Sequence, residues 1–224
     1  ADANNTLSTQ MKATGEVMSV GRSFEESLLK AIRSLEIGLW HLHSRKFDDM
    51  PAEELLHYVQ TGTDDRIYAI AQLLRLGGGV EQIASATAID RFFLNGLVHI
   101  VEMEKTLRDT PGDPQTLYAA KRMGFCDMEI ARLWGMEEEA VLELRRKLGI
   151  RPVYKMIDSC AAEFDSYIPY FYSTYEEENE SVVSGRKKVI VLGSGPIRIG
   201  QGVEFDYSTV HAVQTIRAAG YEAI

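Results

Sequence analysis

The sequence predicts a mainly α-helical fold flanked by two short α/β segments. Between Ser23 and Gly149, apolar residues recur at helical spacing, and capping residues, prolines or glycines separate one helical stretch from the next. Near the end of the chain a short β-branched run, 189–192, is followed by a glycine-rich stretch and an apolar-periodic segment, 209–219, before a second strand starts at Tyr221. Strand, glycine loop, helix and strand in that order begin a Rossmann-like unit.

Composition limits the class of protein. A chain of 224 residues allows one or two domains, and 45% hydrophobic with 25% charged residues is typical of soluble globular proteins. No run approaches the ~18 apolar residues of a membrane span. The net charge of −9 argues against binding to nucleic acid or to an anionic membrane. Cys126 and Cys160 do not make a disulfide framework, so we expect buried, inert thiols and a reduced, cytoplasmic setting.

The first helix has a clear start. Ser23 and Glu26 predict a capping box, in which Ser23 accepts from the Glu26 amide and Glu26 bonds back toward the cap. Further helix boundaries are predicted at Gly38, Pro51, Thr63 or Asp64, Gly77–Gly79, Asp113–Pro114, Asp127, Gly135 and Gly149. About eight helices result. The longest is expected from about Ile89 to Leu107, with an inward face formed by Phe92, Phe93, Leu97, Ile100 and Val101.

Two extended segments follow the helices. Residues 153–157 and the tyrosine-rich 167–175 are rich in β-branched and aromatic side chains. We expect the second segment to pack along a neighbouring domain. The acidic run 176–180 that follows it is most simply a solvated linker.

The glycine-rich loop does not match a nucleotide fingerprint. Gly193 and Gly195 give G-x-G, but Gly200 comes too late for the dinucleotide pattern. The spacing from Gly195 to Gly200 is that of a P-loop, yet Gln201-Gly202 occupies the place of lysine and serine or threonine. Two interpretations of the loop remain. It is either a tight turn whose following helix N-terminus favours an anion, or a purely structural turn. Nearby polar residues exceed what such a turn requires: Arg198, Gln201, Glu204 and Asp206.

Two long motifs carry a family resemblance. Residues 193–208, G-S-G-P-I-R-I-G-Q-G-V-E-F-D-Y-S, resemble the start of the second synthetase half of the carbamoyl phosphate synthetase large subunit. Residues 11–22, M-K-A-T-G-E-V-M-S-V-G-R, resemble the end of the first synthetase half, where an ATP-grasp domain closes. The two motifs occur along this chain in the same order as in the family.

The resemblance implies a division of the chain. Residues 1–22 would be the tail of the first ATP-grasp half, and 23–175 the helical oligomerisation domain with an extended aromatic end. Residues 176–186 would be a linker, and 187–224 the truncated start of the second half. We therefore expect this chain to be a piece of a longer polypeptide.

The family's reaction sets the functional expectation. Its large subunit makes carbamoyl phosphate from bicarbonate, two ATP and ammonia released by a glutaminase small subunit. The parent would require ATP and Mg²⁺ or Mn²⁺, with potassium. Because the family's nucleotide- and metal-binding residues lie outside these segments, we expect this chain alone to hold no cofactor and to be inactive. The pathway served, arginine or pyrimidine, stays open.

Two glutamates are candidate site residues by resemblance. Glutamates of the G-E-V-M and V-E-F-D motifs help line the family's internal carbamate tunnel, and they match Glu16 and Glu204. A reactive intermediate needs a polar passage closed to bulk water. The alternative is an ordinary salt-bridged glutamate, for Glu204 with Arg198.

Other interpretations of the helical middle are weaker. Residues 79–93 and 124–148 have a helix-turn-helix rhythm, so a DNA-binding or stand-alone interaction module is the alternative. The second candidate recognition helix begins with Glu137-Glu138-Glu139, which opposes DNA. His41 and His43 could bind a metal only with a third ligand, and solvent-facing histidines are favoured. No catalytic residue is predicted in the helical part.

Overall fold

The structure is a computed structural model, and it confirms the predicted mainly helical fold. It describes residues 8–9, 15–158, 160, 163–164, 170–192, 197–198 and 203–224. For residues 15, 16, 197, 198 and 203–206 it describes the backbone only.

Eight consecutive helices build the central domain, as the sequence predicts. They are α1 (Phe24–Ser34), α2 (Ala52–Gln60), α3 (Arg66–Arg75), α4 (Val80–Thr87), α5 (Arg91–Asp109), α6 (Pro114–Arg122), α7 (Asp127–Trp134) and α8 (Glu138–Lys147). A 3₁₀ turn, Arg45–Phe47, lies between the first two. Their apolar faces enclose one hydrophobic core, with α5 in contact with α1, α3, α4, α6 and α7.

Side-chain capping bonds form at three of these eight helix starts, at Ser23, Asp90 and Asp113, and two predictions about caps need correction. Ser23 caps α1 by accepting from the Glu26 amide, but the Glu26 carboxylate accepts from the amide of Arg22 rather than from Ser23. The cap of α3 is Asp65 and not Thr63 or Asp64. Asp65 makes no capping bond, because its carboxylate instead accepts from Lys46, Tyr58 and Thr63.

The predicted inward face of α5 is wrong at its start. Phe92 and Phe93 are 63% and 47% exposed. The buried stripe runs instead through Leu94, Leu97, Ile100, Glu104 and Leu107. Because of the direction of this stripe, Phe92 and Phe93 in the first turn face outward. Both pack on Phe24 of α1, with ring centroids 5.8 and 5.4 Å from the Phe24 ring centroid.

Six short strands complete the described part of the chain. They are β1 (Gly15–Glu16), β2 (Val153–Met156), β3 (Phe171–Thr174), β4 (Lys188–Val189), β5 (Ile197–Arg198) and β6 (Glu222–Ala223). β2 and β3 form an antiparallel ribbon, which confirms the first extended segment and, at 171–174, the second; residues 167–169 lie outside the described residues. β4 and β6 pair in parallel, joined across the helix α9 (Val203–Ala218), so the Rossmann-like opening is also confirmed. No helix in these ranges has the length and apolarity to span a membrane.

Candidate functional site at the junction of the two motif segments

The two family-like motifs meet as paired strands. β1 and β5 are antiparallel, with Gly15 opposite Arg198 and Glu16 opposite Ile197. β1 belongs to the G-E-V-M motif, and β5 belongs to the glycine-rich motif that leads into α9. Glu204 lies in the first turn of α9. The fold therefore brings together the backbones of the two segments that carry the predicted site residues.

Most predicted side-chain roles fall outside the described residues. Gly193, Gly195, Gly200 and Gly202 lie there, as do the side chains of Glu16, Arg198 and Glu204. Tunnel lining by the two glutamates and the salt bridge between Glu204 and Arg198 therefore stay predictions.

Lys30 ties the chain after β1 to the helical domain. Its ammonium lies 2.8 Å from the carbonyl oxygen of Val20, 2.5 Å from that of Ser173 in β3 and 2.7 Å from Glu26 Oε1. The two carbonyl oxygens accept hydrogen bonds from the ammonium, and the Glu26 carboxylate forms a salt bridge with it. The Lys30 ammonium thus contacts three parts of the chain: segment 17–22, helix α1 and the β2–β3 ribbon.

Glu26 is the partner that makes this arrangement possible. Its side chain is only 1% exposed; one carboxylate oxygen forms a salt bridge with Lys30 and the other accepts from the Arg22 amide at 2.6 Å. Gly124 approaches so closely that a Cβ there would lie 2.9 Å from Glu26 Cα. A buried carboxylate is costly unless it is paired, and Glu26 has one cationic partner and one hydrogen-bond donor.

The acidic run after the ribbon is more than a solvated linker. Glu176 bonds Arg22 at 3.2 Å, and Glu180 accepts from the Met156 amide at 2.6 Å. Glu178 and Glu180 both pair with Lys155 of β2. These contacts hold the ribbon closed and fasten it beside the start of α1.

A second cluster lies inside the helical domain, at His41. The prediction of a solvent-facing residue is wrong for His41, which is 2% exposed. Its Nε2 lies 2.9 Å from Glu104 Oε1 and 4.0 Å from Glu129 Oε1. The three side chains have the residue types and spacing of a metal site. His43 is not part of it and bonds Asp48 instead.

The charges of this cluster are already balanced by arginines. Arg75 donates to both oxygens of Glu104 at 2.8 and 2.7 Å, and Arg132 donates to both oxygens of Glu129 at 2.9 and 2.6 Å. Burial alone would raise the pKa of Glu104, but the hydrogen bonds from Arg75 and His41 outweigh it and hold that pKa well below its usual range. A cation would have to displace these arginines, so the cluster fits a buried ion-pair network better than a metal centre.

The network fastens the loop between α1 and α2. Arg75 also donates to the carbonyl oxygen of Leu42, so His41 and its neighbour are both held from α3 and α5. His41 Nδ1 is buried with no hydrogen-bond partner in the described part of the chain. A cleft of about 480 Å³ borders this loop, lined in part by Trp40, Lys46 and Arg132.

The exposure of side chains bears on two further expectations, those about the cysteines and about DNA binding. The expectation of buried thiols is wrong, because Cys126 and Cys160 are both partly exposed. Glu137–Glu139, at the start of α8, are exposed. This is the end that a recognition helix would present to DNA, and its exposed acidic side chains oppose DNA binding.

Sequence reasoning missed Lys30 and Glu104 and assigned Glu26 only to the capping box, although each left a signal. Glu26 and Lys30 are four residues apart on one helix, with the glutamate N-terminal, which is the favourable order for an ion pair. Glu104 stands on the apolar stripe of α5, and a charge on such a stripe indicates a buried partner.

Two family models match the chain. The model of the carbamoyl-phosphate synthetase large chain, oligomerisation domain, matches residues 16–149, more than half of the sequence. The model of the carbamoyl phosphate synthase preATP-grasp domain matches residues 185–224.

The chain belongs to the carbamoyl-phosphate synthetase large-chain family. The first match begins at Glu16 in β1 and ends after α8, so it covers all eight helices of the oligomerisation domain. The second covers β4, β5, α9 and β6. The β1–β5 pair therefore joins the start of the oligomerisation-domain match to the preATP-grasp segment of this synthetase chain.

Proposed function

We propose that this chain is the joint between the two synthetase halves of a glutamine-dependent carbamoyl phosphate synthetase large subunit. One observation carries the proposal. β1 pairs with β5, so the end of the first half's motif lies in register against the opening of the second. A joint of this kind keeps two active sites at a fixed separation, which suits an intermediate that must pass between them.

The intermediate in this family's reaction is carbamate. We propose that Glu16 and Glu204 line the passage that conveys it, with the β1–β5 pair forming part of the wall. Strand pairing can satisfy backbone groups of the paired residues, 15–16 and 197–198, without water. A wall built in this way can present carboxylates to a passage from which bulk water is excluded.

The test uses the complete synthetase carrying Glu16→Ala or Glu204→Ala. We expect both half-reactions to persist: bicarbonate-dependent ATP hydrolysis, and ATP formation from carbamoyl phosphate and ADP. Overall synthesis should fall, because carbamate is lost between the sites. Unchanged overall synthesis in both variants would remove the tunnel role.

Activity and cofactors belong to the parent enzyme in this proposal. ATP, Mg²⁺ or Mn²⁺, potassium and the glutaminase small subunit act on regions of the synthetase that this chain does not contain, and the reaction takes place in the cytoplasm. The chain alone should show no bicarbonate-dependent ATP turnover in a coupled assay. Turnover well above a boiled control would contradict this.

Self-association is the second part of the proposal. The matched domain is named for oligomerisation, and we propose that the helical domain associates with another copy of itself. Light scattering behind size exclusion, over a wide concentration range, should find a defined dimer or larger species. A monomer at every concentration would mean that the helical domain is a spacer rather than an assembly surface.

A further inference from the structure

Lys30 is placed to control the geometry of the joint without touching a substrate. Two of its three acceptors are backbone carbonyl oxygens, those of Val20 and Ser173. A bond to a carbonyl fixes the path of the chain itself, whatever side chain that residue carries. Lys30 therefore sets where segment 17–22 and strand β3 lie relative to α1.

Strand β1 of the β1–β5 pair is joined directly to segment 17–22. Val20 follows Glu16 by four residues, a reach of about 14 Å at most in extended chain. Ser19 Oγ, which donates to the Ser27 carbonyl oxygen at 2.7 Å, adds a second tie along α1 on the β1 side.

The pair Glu26–Lys30 is built to be rigid. Glu26 is almost fully buried; it forms a salt bridge with Lys30 and accepts from the Arg22 amide, and the Lys30 side chain is 21% exposed. The ammonium nitrogen lies within 2.8 Å of all three oxygens. Charge-assisted bonds of this length hold a geometry better than neutral ones do.

We propose that Lys30, held by Glu26, is a positioning residue for carbamate transfer. It keeps the Glu16-bearing strand in register with β5, and so keeps the passage closed between the two halves. This inference rests on the proposed tunnel function. Its consequence is specific: loss of the ammonium should open the joint and release carbamate, while each active site keeps its own chemistry.

The experiment measures coupling in the complete synthetase carrying Lys30→Met, which keeps the aliphatic stem and removes the ammonium. Both half-reactions should stay within about twofold of the unmodified enzyme, while overall synthesis falls about tenfold, because small displacements along a transfer path have large effects. The number of ATP consumed per carbamoyl phosphate formed should rise. A purely structural role would lower the melting temperature and leave that ratio unchanged, which would overturn the proposal.

A matched control is Lys46→Met. Lys46 bonds Asp65 at 2.5 Å and the Tyr58 hydroxyl at 2.8 Å within the helical domain, away from β1 and β3. In the Lys46→Met enzyme we expect the number of ATP consumed per carbamoyl phosphate formed to be unchanged. Should Lys30→Met not fold, Lys30→Arg carries the same test, since a planar guanidinium keeps the charge but cannot serve three acceptors in these directions.

The positioning role and the tunnel role can fail separately. Glu16→Ala is measured beside Lys30→Met. If Glu16→Ala uncouples the two halves and Lys30→Met does not, the positioning role is wrong and the tunnel stands. If Lys30→Met, Glu16→Ala and Glu204→Ala all leave the two halves coupled, both proposals are wrong.

Discussion

Replacing Glu104 by glutamine should be one of the most damaging single changes in the helical domain. The Glu104 side chain is fully buried and accepts from Arg75 through both oxygens, from His41 at 2.9 Å and from Arg108 at 3.3 Å. Glutamine has nearly the same shape, so packing is preserved. The change removes the negative charge that balances Arg75, whose side chain is only 13% exposed.

The magnitude follows from the buried partner that is left behind. Breaking a buried ion pair by removing one member costs about 3–5 kcal/mol, because the other charge stays buried without compensation. Arg75 keeps its bonds to the Leu42 carbonyl oxygen and to Gln72, which places the expected loss near the lower end, about 3 kcal/mol. The loop that carries His41 should loosen at the same time.

Chemical denaturation of the 224-residue chain measures this loss. Urea curves for Glu104→Gln should shift in midpoint with little change in slope. Glu81→Gln is the matched control, because Glu81 also makes two bonds to one arginine, Arg91, but on the surface. Exposed pairs contribute little, so this control should be nearly neutral. Equal losses in the two variants would refute the reasoning.

The same network predicts a pH dependence. The pKa of Glu104 is held below its ordinary value of 4.5, since the bonds from Arg75 and His41 outweigh the effect of burial. A carboxyl whose folded pKa is lowered stabilises the fold above its unfolded pKa and loses that contribution as pH falls. The free energy of unfolding should decline below about pH 4.5, and the decline should be smaller in Glu104→Gln. Parallel pH profiles would contradict this.

Three other substitutions test separate features. Gly96→Ala should cost about 1–3 kcal/mol by urea denaturation, because its Cβ would lie 2.3 Å from the ring of Phe24. Ser23→Ala should cost about 1 kcal/mol in the same assay, since α1 loses its capping bond. Asp127→Asn should cost about 3 kcal/mol, as Lys121, which is 5% exposed, loses its counter-charge.

Each of these has its own control or contrary result. Gly185→Ala places a Cβ in open space away from any helix cap and should be neutral; a loss equal to that of Gly96→Ala would rule out the clash. Ser23→Gly should cost less than Ser23→Ala, because glycine is tolerated at a cap, and the reverse order would contradict the capping account. If Asp127→Asn is as stable as the unmodified chain, Lys121 does not depend on its counter-charge.

The helix pattern could be predicted because local chemistry determines it. Ser23 and Asp113 cap α1 and α6 through their own side chains, and Gly135 ends α7 in the left-handed conformation. The strand, loop, helix and strand order at the end of the chain was also predicted. Such signals lie within a few residues of each other in the sequence.

Long-range placement could not be predicted in the same way. Phe92 and Phe93 are of a residue type that is usually buried. The direction of the buried stripe of α5, however, is set by contacts with five other helices. His41 meets Glu104 and Glu129 only after the loop between α1 and α2 folds onto α5 and α7. The β1–β5 pair likewise joins segments that no local pattern connects.

The central claim is that β1 and β5 pair inside the working synthetase. The most direct measurement introduces cysteines at Gly15 and Arg198, which are opposite each other in the pair, and maps disulfides by peptide mass spectrometry after mild oxidation. Cysteines at Tyr154 and Ser173, which are opposite each other in the β2–β3 ribbon, serve as the positive control. The account predicts a 15–198 cross-link that forms as readily as the 154–173 cross-link. A ribbon cross-link without a 15–198 cross-link would contradict it.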